Sequence, residues 1–297
     1  RAGVRWARKH GLPSVETYHT LFEEYFHHYL PFLPKPWLAA AARMISRKEC
    51  DGVTAVIAPS SAMKRALEAY GVTSPIHVIP TGIRMADFAD CDGAAFRVRH
   101  GIAPERPVMA YVGRVAFEKN IDFLLQVTET VRRTLPDVLF VIAGEGPARA
   151  QLERAAAKRG LTDSVRFVGY LERRTELPAC YCAADAFVFA SKTETQGLVL
   201  LEAMALGVPV VALAEMGTRD VLKEGAGCRI APDDVAGFAR TVLPLLADRE
   251  AARALGAAGR PYAAGWSETK MQCEILRLYG SLVSPDGCEP DYAVALV

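Results

Sequence analysis

From residue 106 onward the chain repeats one pattern: a short apolar run, a polar or glycine-bearing break, an amphipathic stretch, then another apolar run. The runs PVMAYVG, VLFVIAG, VRFVG, AFVFA, VPVVAL and GCRI are rich in valine, isoleucine and phenylalanine and are bounded by turn residues. They predict strands buried on both faces. Stretches such as IDFLLQVTETVRRTL and ARAQLERAAAKRG carry apolar residues at helical spacing. Strand alternating with helix predicts a mostly parallel sheet covered on both faces. Ligands of such sheets bind beyond the carboxyl ends of the strands. The segments GRVAFEKN, GEGP, GYLERR and SKTETQG fall at those ends.

The first hundred residues are α/β too, with too few strands to close a domain. RAGVRWARKHGLPSVETYHT reads as the end of a helix, a turn across Gly11 to Pro13, and a strand. GVTAVIAPS is a second strand, SAMKRALEAYG a helix, and IHVIP a short strand leading into TGI. This predicts the remnant of another doubly wound unit, joined onward through FADCDGAAFRVRHGIAPER. The expected limits are 1–104 for that remnant, 105–265 for the complete domain, and 266–297 for an amphipathic helix, GWSETKMQCEILRLYGSLV, with a loose tail. The chain opens at Arg1 in mid-pattern with no initiator methionine, so an upstream portion is expected to be missing.

Composition narrows the picture. Of 297 residues 51% are apolar, and the formal net charge is +1, which gives no bulk electrostatic case for nucleic acid. No run approaches the roughly 18 apolar residues of a membrane span, and no signal peptide is visible. Seven cysteines at irregular spacing read as ordinary reduced thiols of an intracellular protein. Cys180 and Cys182 lack a second pair or a nearby histidine, so no metal site is expected.

Two acids flank a glycine in SKTETQGLVLLEAMALGVP. In one continuous helix Glu194 and Glu202 would point roughly 80° apart. The strand-to-helix pattern instead places Glu194 in a loop and Glu202 one turn into the helix that follows. The first amides of that helix, at Thr195, Gln196, Gly197 and Leu198, favour an anion or an oxygen-rich sugar. Glu202 sits among apolar residues, where an unpaired carboxylate is costly. The competing reading is a helix-capping acid at Glu194 and a solvated acid at Glu202. In GRVAFEKN, Gly113 ends a strand and Arg114 and Lys119 follow, a pair suited to two phosphates at a strand's carboxyl end, or else surface charges.

Three further segments stay open. AGEGP is not a dinucleotide fingerprint, and its Pro147 suits a helix's first turn. Gly169 and Tyr170 either meet a flat base or simply end a strand. His19, at the end of the strand in TYHT, reads either as structural or as a hydrogen-bonding group facing the same cleft. YFHHYLPFLPKPWLAAAARMISRK combines aromatics with Lys35, Arg43, Arg47 and Lys48. It is either an interfacial segment for anionic lipid or a helix packed on its own domain.

Together His19, Gly113–Arg114 with Lys119, GEGP, VRFVGY and the Glu194/Glu202 pair resemble the family-4 retaining glycosyltransferases. APS at 58–60, VIPTGI at 78–83 and WS at 266–267 extend the likeness from Pro13 to about Leu278. The resemblance implies a GT-B fold, α/β, with two Rossmann-like doubly wound domains facing a cleft, the N-terminal one incomplete here. It implies that Arg114 and Lys119 bind the donor diphosphate, that Glu202 binds the ribose, and that Glu194 with residues 195–198 holds the transferred sugar. His19 would reach the sugar or its phosphate, and no metal or other cofactor is implied. YHTLFEEYFHHYLPFLP is most similar to bacterial enzymes that glucosylate diacylglycerol, which implies UDP-glucose as donor, a lipid acceptor, an anionic membrane surface as partner, and a cytoplasmic, membrane-peripheral location. The chain departs from the family pattern at Glu215 and Met216, where many relatives carry a glycine pair, and at Arg84 and Asp220. A nucleotide-sugar epimerase on the same architecture, or an inactive nucleotide-sugar-binding fragment, is the alternative.

Overall fold

The computed structural model describes residues 2–20 and 34–283. His27, His28, the aromatic stretch up to Leu33 and the tail from Ser284 lie outside the described residues. The chain divides into two compact units. One comprises Arg1–Gly82 with Glu268–Val297, the other Ile83–Ser267.

In the first unit, helix α1 (Ala2–Lys9) leads to β1 (Val15–Thr17), and α2 (Lys35–Cys50) leads to β2 (Ala55–Ala58). Ser60 accepts a hydrogen bond from the Met63 amide and so caps α3 (Ser61–Ala69), after which β3 (Ile76–Val78) follows. The three strands form a parallel sheet in the order β1-β2-β3. Its small core joins Ile57, Ile79 and Leu278, with Val15, Ile275 and Leu282 packed around them. Three of those six, Ile275, Leu278 and Leu282, come from the late helix Glu268–Val283, so that helix packs back into the unit formed by the first strands.

The second unit is a six-stranded parallel sheet. Its strands are β4 (Val108–Val112), β5 (Leu139–Ala143), β6 (Val165–Gly169), β7 (Ala186–Phe189), β8 (Val210–Ala212) and β9 (Cys228–Ile230), and their order is β6-β5-β4-β7-β8-β9. Every residue of β4, β5, β7 and β8 is buried, as strands covered on both faces require. β4 to β6 extend the sheet one way; the chain then returns to lay β7 against the other side of β4, pairing Met109 with Ala186. That reversal opens a crevice at the carboxyl ends of β4 and β7.

The boundary between the units falls at Gly82, not at residue 104. The segment expected to be a joining stretch is folded into the second unit by α4 (Gly93–Arg99), capped by Asp92. Arg97 fixes it. Its guanidinium donates to the carbonyls of Ala183, Ala103, Pro104 and Arg106 and to Asp185 Oδ2 at 3.0 Å. Asp185 also accepts from the Val108 amide at 2.8 Å, so one carboxylate ties α4 to the amino ends of β4 and β7. The two ends of the second unit are bridged to each other, the Ile83 amide donating to the Trp266 carbonyl at 2.9 Å.

The expectation of reduced thiols throughout is also corrected. Cys91 and Cys182 form a disulfide, their Cα atoms 6.2 Å apart. The cause is the packing of α4 on α7 (Glu176–Cys182), close enough that a Cβ on Gly93 would lie 2.3 Å from the Cys182 carbonyl oxygen. Cys50, Cys180, Cys228 and Cys273 are free. Burial pushes the Cys180 thiol up to about 12.

The carboxyl ends of β4, β5 and β6 meet through glycine backbone. Gly113 donates to the Ala143 carbonyl at 3.0 Å and Gly144 to the Gly169 carbonyl at 2.7 Å. Gly144 holds φ +130°, and a Cβ there would lie 2.0 Å from the Gly113 carbonyl oxygen. Gly144→Ala is therefore expected to cost about 3 kcal/mol or more in urea unfolding. An unchanged midpoint would show that this approach does not constrain the sheet end.

Candidate active site

Two loops frame the crevice. The first runs from Gly113 after β4 to α5 (Ile121–Arg132) through a single turn of 3-10 helix, Phe117–Lys119. It is pinned from below: the Tyr111 hydroxyl donates to the Arg114 carbonyl at 3.1 Å, and the Val115 amide donates to the Glu145 carbonyl at 2.9 Å. Tyr111 is fully buried, and burial, reinforced by the Glu194 and Glu118 carboxylates, pushes its pKa far up, so the phenol remains a donor. Asn120 ends the loop at φ +56° and donates from Nδ2 to the Ala190 carbonyl at 3.2 Å. That bond crosses the sheet reversal.

The second loop follows β7 and ends at α8 (Leu198–Ala205). Gly197 opens α8 at φ +96°, and no side chain caps that end, so the amides of the first turn point into the crevice end of the sheet. The Glu194 carbonyl accepts from the Gly217 amide at 2.9 Å, and a Cβ on Gly217 would lie 2.0 Å from the Thr195 carbonyl oxygen. Next to Gly217, Met216 holds φ +49°, a state that costs a side-chain-bearing residue about 1–3 kcal/mol and suits the glycine common at this place in the resembling family.

Sequence reasoning placed Glu194 in a loop and Glu202 inside the helix, and both stand there. Lys119 and Glu194, from opposite sides of the reversal, form an ion pair with Nζ to Oε2 at 2.8 Å. Arg114 pairs with Glu118. Gly113, Arg114 and Tyr170 line one cavity of about 300 Å³ with Gly144, Glu145 and Leu177, and Gly169 adjoins it through its bond to Gly144. Gln196 is buried, while Thr195 and Leu198 are half-buried. His19 lies two residues past β1 in the other unit and is exposed. Pro147 precedes the first turn of its helix, α6 (Arg149–Lys158), because residues 147 and 148 form a turn.

Glu202 is 3% exposed and is held at both oxygens. Arg173 reaches Oε1 at 3.2 Å, and the Tyr181 hydroxyl donates to Oε2 at 2.8 Å. Burial pushes the Tyr181 pKa well up and the adjacent carboxylate adds to it, so this hydroxyl too stays protonated. Each carboxylate oxygen keeps acceptor capacity for a further donor. Arg173, Tyr181, Tyr111 and Glu118 were missed from sequence. Two carried a signal: Glu118 stands four residues after Arg114, and Arg173 falls in GYLERR at a strand's carboxyl end. Among the described residues no cluster of acids, histidines and cysteines could hold a metal ion.

Two family models match the chain. Glycosyl transferases group 1 covers residues 93–261, and Glycosyltransferase Family 4 covers residues 1–87. Among curated relatives, alpha-monoglucosyldiacylglycerol synthase of Streptococcus pneumoniae is 34% identical over 216 residues, 71% of this chain and 48% of that enzyme. D-inositol 3-phosphate glycosyltransferase of Frankia alni is 33% identical over 94% of this chain and 71% of its own length. The chain thus spans about half the length of the first of these relatives. Among solved structures, Anabaena HepE in complex with UDP and glucose superposes with a TM-score of 0.80 at 18% identity, covering 94% of this chain and 74% of that one, a likeness of fold.

Proposed function

The chain belongs to the family-4 glycosyltransferases, with the GT-B fold, and on that premise we propose that it moves a hexose from a UDP-sugar to a lipid hydroxyl with retention of configuration. The sugar we assign is glucose, and the acceptor a membrane lipid such as diacylglycerol. The observation that carries this reading is the Lys119–Glu194 pair spanning the sheet reversal, beside a helix end that no side chain caps. Support for the substrates comes from the pneumococcal relative, named for monoglucosyldiacylglycerol synthesis, and from HepE, solved with UDP and glucose.

In the proposed reaction Arg114 and Lys119 bind the two phosphates, and the glycine backbone at 113 and 144 permits close approach. Gly169 and Tyr170 receive the base and Glu202 the ribose hydroxyls. Glu194 and the amides of residues 195–198 hold the hexose. The bond from the anomeric carbon to the diphosphate oxygen breaks as the acceptor oxygen bonds to the same face. The acceptor proton passes to the departing diphosphate. Charge growing on that leaving group is met by Arg114, Lys119 and the helix dipole, a role that needs no metal. Neither glutamate acts as a nucleophile, in contrast to two-carboxylate hydrolases.

For the membrane side, α2 presents Trp37 and Met44, 74% and 67% exposed, with Arg43, Arg47 and Lys48 on the same helix. Seven positions separate the two apolar residues, so they share a face. No helix among the described residues is long and apolar enough to cross a membrane, and we assign the chain a peripheral place on the inner face of the cell membrane.

In calorimetric titration the chain is expected to bind UDP and UDP-glucose. Glu202→Ala should abolish that binding, and Lys119→Ala should weaken it about tenfold through the diphosphate. Unchanged affinity in both variants would remove the basis of the site. Vesicles containing anionic lipid are expected to bind the chain at low salt and release it at high salt. If such vesicles do not retain the chain, the interfacial role of α2 is wrong.

A further inference from the structure

The donor reading assigns roles to Arg114, Lys119 and Glu194 and none to Glu118, yet Glu118, the one acid of the loop after β4, has a buried side chain. Its side chain is 7% exposed, against 45% for the Arg114 it pairs with. A buried acid is costly, and the loop does not need one for its shape. The Glu118 carbonyl, not its carboxylate, accepts from the Ser191 hydroxyl at 3.3 Å, and Tyr111, Val115 and Asn120 pin the remaining backbone. What the carboxylate contributes is charge. Arg114 with Glu118, and Lys119 with Glu194, make two cations and two anions, so the charges of these two ion pairs sum to zero beside the proposed diphosphate position. The fields of both carboxylates also converge on the Tyr111 hydroxyl beneath the loop.

Resting on the donor reading, we propose that Glu118 sets selectivity between a nucleotide diphosphate that carries a sugar and one that has lost it. The sugar-bearing diphosphate is a diester with a charge of about −2. Once the sugar has left, the terminal phosphate ionises again near pH 6, so at neutral pH the free nucleotide carries about −3. Two uncompensated cations would hold that product more tightly than the donor. Glu118 and Glu194 offset them, so the extra negative charge gains little attraction and the product is free to leave. Glu118 therefore acts through Arg114, as a positioning residue whose charge matters as well as its contact.

The test compares affinities for UDP and UDP-glucose at pH 7.5 in the wild-type chain, Glu118→Gln and Glu118→Asp. Glutamine keeps the size and an acceptor for Arg114 but removes the charge; aspartate keeps the charge. In Glu118→Gln the ratio of the UDP-glucose Kd to the UDP Kd is expected to rise about fivefold, because UDP tightens more than its glucose ester. In Glu118→Asp the ratio should stay within about twofold even if both affinities fall. A Glu118→Gln chain whose two affinities move in parallel, or not at all, overturns the inference and leaves Glu118 as a structural partner of Arg114. Should Glu118→Gln fail to fold, the wild type still decides. With a neutral site its ratio varies less than about twofold between roughly 50 and 500 mM salt, and a steep salt dependence overturns the inference. A wild-type chain that binds neither nucleotide instead sinks the donor reading on which the inference rests.

Discussion

Between β4 and β7 the sheet reverses its direction of growth, and the rest of the second unit is arranged around that one junction. Two loops emerge side by side from strands that are neighbours in space and more than seventy residues apart in sequence. Three contacts close the junction: Asn120 to the Ala190 carbonyl, Ser191 to the Glu118 carbonyl, and the Lys119–Glu194 ion pair. The first two are neutral and hold backbone. The third places opposite charges, each largely withdrawn from water, where an open α/β sheet presents its ligand crevice. On the amino side of the same sheet, Asp185 and Arg97 perform the matching task by locking α4 to the ends of β4 and β7. One end of the sheet is thus tied shut by structure, and the other is left with groups able to exchange partners.

That exchange gives the site its chemical character. Arg114 and Lys119 pair internally with Glu118 and Glu194, so under the proposed donor reading an entering diphosphate would replace or share a carboxylate that is already present. Glu202 differs. Arg173 and Tyr181 hold it from two sides inside an apolar helix, which fixes its position before any ligand arrives. A preset acceptor beside a set of exchangeable charges suits recognition of a polar ligand with a mobile anionic end.

Much of this was legible in the sequence, for stated reasons. Continuous apolar runs marked the buried parallel strands, and the polar breaks at their carboxyl ends marked the crevice, so Gly113, Arg114, Lys119, Glu194 and Glu202 were placed on the right loops and helix. What escaped depended on distance along the chain. Tyr181 reads as one more aromatic in ELPACYC until β6 and α7 bring it to Glu202. Cys91 and Cys182 are 91 residues apart and share no motif. The segment 83–104 shows a helix in its pattern without showing which unit buries it; Arg97, with its five acceptors, decides that. Glu118 was in plain view at four residues from Arg114, but spacing alone does not reveal that its carboxylate is buried.

The most direct test of the central claim, that the sheet reversal is a nucleotide-diphosphate site, is hydrogen exchange of the backbone amides with and without UDP. The account predicts slowed exchange in two separate peptides, residues 113–120 and 193–202, with the rest of the second unit unchanged. Protection confined to any other part of the chain, or none at a UDP concentration that saturates binding, would contradict it.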